Sequence, residues 1–425
     1  VLSYADRKII TVVQEVIKAD LRLADWQLGI LAGPAFALVY SIAGIPVARV
    51  ADRFNRATLL AGIVGFWSLL TGVCGLAQNF LQLLVARMGV GLGQGGLMPT
   101  SQSLIADLFP STRRGFAMSV LGAGVPVAGL FAPVVVAAIT ALWGWRAAFL
   151  VAVLPGVVLI VLVRWIVPEP RGPAAASTVE RSRFSADLKW FLRNRTFCFL
   201  VSGAALDGIA SVGIMAFLIS FLLRTHHFDL NGAAWIAAML ALGGIAGTLL
   251  GGFVADRTAG RTARSYLLVP AAGAALAAVF KATGLLADDW TTAYVLLLLG
   301  FVASSLKLGP TFAAVQNETT PERRATASAL FMFGATTLGT GLGPLLVGTL
   351  SDLLAAATFS GGDFHQACPG GRASAGAAAG LTAACAAASA HGLRVAMALA
   401  ALIYVGAAAC FVLAAWHRGR TRKKA

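Results

Sequence analysis

Twelve stretches of nineteen to twenty-eight residues in this chain are predominantly apolar, more apolar helix than one soluble core can cover. They run over 1–19, 26–50, 58–77, 80–106, 115–140 and 147–167, then 196–223, 231–254, 265–287, 290–316, 323–350 and 391–415. A helix needs about 20 apolar residues to cross a bilayer. The runs are too long and too continuously apolar for barrel strands, so each reads as a membrane helix. Charged residues make up 12% of the chain, against about 25% in soluble domains. That excludes a soluble enzyme and a disordered chain. Val1 is not a start methionine and the first apolar run begins at once, so span 1 reads as clipped.

The net charge of +15 suggests nucleic acid until the charges are placed along the spans. Of 33 basic residues, Arg7, Lys8, Arg87, Lys281 and Lys307 fall inside spans. Lys18, Arg22, Arg146, Arg224, Arg372 and Arg394 lie on one side, and the remaining 22 lie on the other. The positive-inside rule makes the richer side cytoplasmic, with both termini there. The basic balance is a topology signal, and no nucleic-acid partner is expected.

The spans repeat. Asp52-Arg53 follows span 2 and Asp256-Arg257 follows span 8, 204 residues later. Arg113-Arg114 follows span 4 and Arg323-Arg324 follows span 10, 210 residues later. The chain therefore divides into a six-helix bundle over 1–167, a linker over 168–195, a second bundle over 196–415 and a basic tail over 416–425. Residues 183–193 mix basic and bulky apolar side chains, as a helix on the membrane surface does, and a solvated linker fits them equally.

This duplication, with its Asp-Arg loops, resembles the major facilitator superfamily. That family's loop pattern is met at Asp52, Arg53 and Arg56, with Ala48 and Asn55 in its two glycine places. The matching loop of the second half carries Gly252, Asp256 and Arg257. The resemblance implies an all-α fold of two pseudo-symmetric bundles with a site between them. It also implies that Asp52, Arg53, Arg56, Arg113, Arg114, Asp256, Arg257, Arg323 and Arg324 form an intracellular network that breaks as the halves rock.

Ionisable groups within a membrane are costly and mark function by default. Asp6 lies 13 residues before the outer end of span 1, about 20 Å at 1.5 Å per residue. Gln94 sits 14 residues into span 4, at nearly the same depth. Asp207 and Lys307 lie 16 and 17 residues from the outer ends of spans 7 and 10. Neighbouring helix residues do not face one another, so Asp6 and Arg7 are expected to address different partners. Lys281, near the outer end of span 9, reads as a snorkelling lysine.

Asp6-Arg7 resembles the pair of Spinster-type transporters. So do Gly65-Phe66-Trp67-Ser68-Leu69, the run Ser103 to Phe109, Gly144-Trp145-Arg146-Ala147-Ala148-Phe149 and Pro168-Glu169-Pro170-Arg171-Gly172. That family exports amphipathic lipids such as sphingosine 1-phosphate and lysophospholipids. The resemblance implies that Asp6 carries a proton, that Arg7 meets an anionic head and that Arg87, opening Arg87-x-x-x-Gly91, orients the relay. One departure stands out. The family pattern in span 4 has Glu where this chain has Gln94. Glutamine has the shape of a protonated Glu and cannot titrate, so the expectation is binding with impaired coupling.

Candidate substrate contacts are Arg7, Tyr40, Met98, Asp207, Met215, Phe301, Ser305, Lys307, Phe333 and Thr337. Methionine adapts to irregular tails, and each of these side chains also serves as ordinary packing. The Ala/Gly-rich loop over 351–390 is expected to be mobile, and an oxidising compartment permits a disulfide between Cys368 and Cys385. No metal site, cofactor or Gly-rich phosphate loop is expected. The chain thus reads as a monomeric secondary transporter of an amphipathic lipid or lipid-like anion, coupled to protons. Its rivals are a small organic-anion symporter or drug–proton antiporter, and a non-transporting receptor or scaffold.

Overall fold

The computed structural model describes the chain except residues 52–54, 111–116, 118–119, 168–190, 260–263, 320–323, 375 and 422–425. Most of the linker and Asp52, Arg53, Arg113, Arg114 and Arg323 therefore lie outside the described residues. Among the described residues there are helices and turns and no strand. The first eight helices are α1 Leu2–Leu21, α2 Asp25–Ala32, α3 Pro34–Ala51, α4 Arg56–Gly75, α5 Phe80–Gly95, α6 Leu97–Leu108, α7 Gly124–Val151 and α8 Val153–Ile166. The others are α9 Arg195–Thr225, α10 Leu230–Ala259, α11 Ser265–Leu286, α12 Trp290–Ser305, α13 Leu308–Asn317, α14 Arg324–Thr358, α15 Phe364–Ala367 and α16 Ala379–Thr421. They form two compact units, Val1–Val179 with Phe228–Ala238, and Glu180–His227 with Met239–Ala425. In the first, α3 and α4 pack on α5, α1 on α7 and α4 on α8. In the second, α9 packs on α14 and α16, and α11 on α12 and α16.

Among the described residues, nine helical segments are long and apolar enough to cross a bilayer. The twelve expected spans are still there. Val120–Ile166 counts once but holds two spans, folded back at Gly144. The first span is too polar to register, carrying Asp6, Arg7, Lys8, Glu15 and Lys18 in one helix. The fourth, α5 with α6, holds Gln82, Arg87 and Gln94 among several glycines, which dilute its apolar character. Helix starts follow the polar punctuation between runs. Asn55, Asn79, Asn194 and Asp289 each accept a hydrogen bond from a backbone N–H in the first turn of α4, α5, α9 and α12, satisfying an otherwise orphaned donor. Asn55, which stands in a glycine place of the family loop pattern, has φ −58° and acts as the cap of α4.

The fourth helix of each half is broken at its polar residue. α5 ends at Gly95, directly after Gln94, and α12 ends at Ser305, two residues before Lys307. The two breaks lie about 210 residues apart, the same offset as the loop motifs. Gly-Gly and Gly-Pro sequences near them weaken the helix.

At one end of the first unit, Asp20 gathers three segments. Its Oδ2 accepts from Arg146 Nη1 at 2.6 Å and Trp145 Nε1 at 3.1 Å, and Arg146 Nη2 reaches Ala77 O at 3.2 Å. The turn that presents Trp145 and Arg146 needs Gly144, whose φ of 80° and ψ of 168° only glycine adopts readily. The Gly144-Trp145-Arg146 string is therefore a clamp between spans 1, 3 and the span 5–6 turn. Close by, Lys18 and Asp25 form a buried ion pair at 2.6 Å.

The segment expected to be mobile, 351–390, is mostly helical. α14 continues to Thr358 and α16 starts at Ala379, well before the expected span 12. Phe359 and Phe364 pack with Cys368, Cys385 and Ala388, and the two cysteine sulfurs are bonded. An Ala-rich composition reads as low complexity but is also strong helix-forming sequence. α16 likewise runs on through 416–421, where the sequence suggested a tail, and Arg418 Nε pairs with Glu318 Oε1 at 2.8 Å.

Two measurements check the clamp. Gly144→Ala should lower the thermal midpoint, with a loss of about 1–3 kcal/mol for the strained backbone. Gly62→Ala, helical and facing open space, should leave the midpoint level or slightly higher; equal losses at both sites would contradict this account of the turn. Separately, the Arg146 hydrogen bond, ahead of the one from Trp145, holds the exposed Asp20 carboxyl below its ordinary value. Its contribution is present above the unfolded carboxylate value of about 3.9 and is lost as pH falls through the lowered folded value. Wild type should therefore exceed Asp20→Asn in midpoint at pH 7, with the gap narrowing as pH falls below about 3.9.

Candidate functional site

The first unit buries one connected polar cluster. α1 supplies Ser3, Asp6 and Arg7, α4 supplies Thr71, and α5 supplies Arg87 and Gln94. Gln94 is 0% exposed and Asp6 4%. Gln94 Oε1 accepts from Ser3 Oγ and from Arg7 Nε, both at 2.9 Å, and Gln94 Nε2 donates to Asp6 Oδ2 at 2.8 Å. Asp6 Oδ1 accepts from Thr71 Oγ1 at 2.8 Å. The amide orientation is forced, because a guanidinium only donates and a carboxylate only accepts.

Asp6 and Arg7 do diverge, toward Thr71 on one side and toward α3 on the other. They nonetheless meet again at Gln94, which the rule about adjacent residues did not anticipate. Long side chains close the gap that the backbone opens.

Arg7 sits in an aromatic cage. Its guanidinium carbon lies 4.5 Å from the ring centroids of Phe36 and Tyr40 and 5.0 Å from that of Tyr4. Phe36 and Tyr40 stack at 5.3 Å. α5 comes close to Phe36 because Gly91 has no Cβ, which would stand 2.7 Å from the Phe36 carbonyl oxygen. The cage holds Arg7 through its faces, and Gln94 takes Nε. Among the described contacts, the two terminal Nη groups have no hydrogen-bond partner.

Arg87 is buried nearby, 5.6 Å from the Phe36 ring, and its charge acts on Asp6 and Cys74. Its Nε has no hydrogen-bond partner among the described residues. The cluster thus holds two guanidiniums and one carboxylate. With Asp6 ionised it carries one excess positive charge.

The second unit places its polar groups differently. Asp207 of α9 and Lys307, at the α12–α13 break, form an ion pair with each other. Their matched depth, read as two substrate contacts, is also the geometry of mutual satisfaction. Lys281 does not snorkel. It is fully enclosed, donating to Ser304 Oγ and to the Tyr404 hydroxyl, each at 2.9 Å. Its position along span 9 suggested the water interface, but its side chain turns into the bundle. Phe301, expected on a substrate-facing wall, lies 4.4 Å from this Nζ.

The other expected contacts scatter. Met98, Met215, Ser305 and Thr337 are half-buried and Phe333 is 57% exposed. Met98, Met215, Ser305 and Phe333 share no described hydrogen bond, ion pair or ring contact with either cluster. Of the expected network, Arg56 is buried and ties α4 to α6 through Ser103 Oγ at 3.0 Å and Asp107 Oδ2 at 2.8 Å. This gives the Ser103-to-Phe109 string a structural reason. Asp256 accepts from the Tyr266 hydroxyl at 2.8 Å, and Arg257 is exposed. Arg324 opens α14. Sequence reasoning missed Thr71, Phe36, Tyr4 and Ser3. Only their spacing on spans 1, 2 and 3, opposite Asp6 and Arg7, pointed to them.

Comparison with known proteins places this architecture. The sequence profile of the Major Facilitator Superfamily matches residues 1–344. An MFS-type efflux pump of Mycolicibacterium smegmatis is 33% identical over 357 residues, 83% of this chain and 82% of that protein. The hexuronate transporter of Bacillus subtilis is 25% identical over 85% of this chain and 87% of its own length. The crystal structure of a bacterial homologue of the human lysosomal transporter Spinster, inward-facing and occupied, superposes with a TM-score of 0.87 at 29% identity, covering 97% of this chain and 94% of that one. This chain is a membrane transporter of the Major Facilitator Superfamily, with a Spinster homologue among its structural neighbours.

Proposed function

We propose that this protein moves an amphipathic lipid with an anionic head, of the lysophospholipid or sphingosine 1-phosphate class, by rocker-switch alternating access of its two halves. The observation that carries the reading is Arg7. Its faces are held by aromatic rings and its Nε by Gln94, while the paired Nη donors keep the fork geometry that suits phosphate. The excess positive charge of the Asp6–Arg7–Arg87 cluster favours an anion. The resemblance to Spinster-type strings supports a lipid as the rest of the ligand. Orientation follows the arginine and lysine asymmetry, with both termini cytoplasmic in a bacterial inner membrane, and the transporter acts as a monomer.

Coupling to protons runs through Asp6, oriented by Arg87 and Arg7. Gln94 makes this chain unusual in that respect. An ionised Glu at 94 would cancel the excess charge and face Asp6 across the 2.8 Å contact that Gln94 now bridges as a donor. Two carboxyls that close hold a proton between them. The amide takes the place of that protonated acid permanently, so binding persists while pH control weakens.

A small organic anion is the second reading. The hexuronate transporter favours it, since a carboxylate needs the same guanidinium fork without an apolar slot.

Flux of labelled lysophospholipid and sphingosine 1-phosphate into proteoliposomes under an imposed pH gradient separates these readings. The expected result is lipid flux that responds weakly to the gradient in the natural chain and strongly in Gln94→Glu. Absence of lipid flux in both folded forms, with flux of a sugar acid instead, would replace the lipid reading by the second one. Arg7→Lys keeps the charge but loses the planar fork and much of the stacking. It should weaken lipid binding on the order of tenfold, about 1.4 kcal/mol, in a titration with the reconstituted protein. An unchanged affinity would remove Arg7 from the binding site.

A further inference from the structure

Lys281 is a fully enclosed ionisable side chain that the proposed mechanism does not use. Its Nζ has two oxygen partners, Ser304 Oγ of α12 and the Tyr404 hydroxyl of α16, and neither belongs to an acid. Ser304 spends its own hydrogen on the Phe301 carbonyl at 3.2 Å. Three helices, α11, α12 and α16, therefore meet at this node.

The charged groups on the helices packed around it are engaged elsewhere. Arg394 of α16 binds the Leu285 and Leu286 carbonyls and the Asp288 carboxylate, one turn beyond Lys281. Asp207 of α9 pairs with Lys307 at the start of α13. Asp289 caps the far end of α12, where Tyr294 lies against Trp290. Among the described residues, no carboxylate lies within ion-pair distance of Lys281.

An ammonium has three N–H donors and a full charge, whereas an uncharged amine has two donors. Two acceptors are present. The rings of Phe301 and Tyr404, at 4.4 and 4.9 Å, return less than burial of an unpaired ion costs. We propose that Lys281 is a reversible proton-binding site of the second unit, uncharged in this conformation and protonated when the Ser304–Tyr404 contacts open to water. The amine lone pair takes a proton from hydronium, releasing water, and the ammonium gains a third donor that only a hydrated node can satisfy. The inference rests on the proton-coupling reading in one respect. With an amide at position 94, Lys281 supplies a titratable group that span 4 lacks.

The test is the side-chain 15N chemical shift of lysine in the full chain in lipid nanodiscs, across about pH 5 to 9. The chain has only seven lysines, so their signals are separable. One signal should show the uncharged-amine shift at neutral pH, convert to the ammonium shift on acidification and vanish in Lys281→Arg. Seven ammonium signals throughout, or an amine signal that survives in Lys281→Arg, would overturn the proposal. Should Lys281→Arg not fold, Tyr404→Phe must move the midpoint of the conversion, and an unmoved midpoint counts against it. No substrate enters this measurement, so a failed lipid assay leaves its outcome intact.

Discussion

A primary amide gives hydrogens through nitrogen and receives them through oxygen, and the buried cluster of the first unit is organised around that double capacity. Gln94 stands between an acid that must receive and a guanidinium that must give, and it answers both. In a bilayer this matters more than in water, because a polar group left unpaired there has no solvent to turn to. Asp6 and Arg7 are adjacent on α1 yet leave it on different sides, the acid buried and the guanidinium half-buried, since one amide serves both while Thr71 and the aromatic cage complete their surroundings. Remove the double function and the acid and the guanidinium must find each other or find water. Either event is a change of state, which is what a transporter requires of its site.

The two units solve the same problem with different chemistry. The first buries excess guanidinium around one acid. The second pairs its acid, Asp207, with Lys307 and leaves Lys281 among hydroxyls. A duplicated scaffold conserves where polar groups can sit, on the first and fourth helices of each half, but it does not dictate their sign. The halves are therefore similar in architecture and unlike in charge.

The fold was legible because apolar runs and their length are dictated by the bilayer, and because the loop motifs repeat at a nearly constant offset. Asp6, Arg7 and Gln94 stood out because charge and amide are expensive at that depth. What stayed hidden depended on side-chain direction. Lys281 looked like an interface lysine because position along a helix says nothing about which face it leaves from. Asp207 and Lys307 looked like two ligand contacts because two helices bring them together only in the folded bundle. The Ala-rich segment before α16 looked mobile because low complexity and high helix propensity share a composition.

The interruptions in the two fourth helices have a mechanical consequence. A continuous helix is a stiff rod, and a load at one end is transmitted to the other. α5 with α6, and α12 with α13, are instead pairs of short rods joined at one or two residues. Bending stiffness is lowest at those joints, directly beside Gln94 and Lys307. Each half thus has a compliant strut whose soft point coincides with its polar residue, so a small rearrangement of hydrogen bonds there can redirect a half-helix while the rods beside it keep their shape.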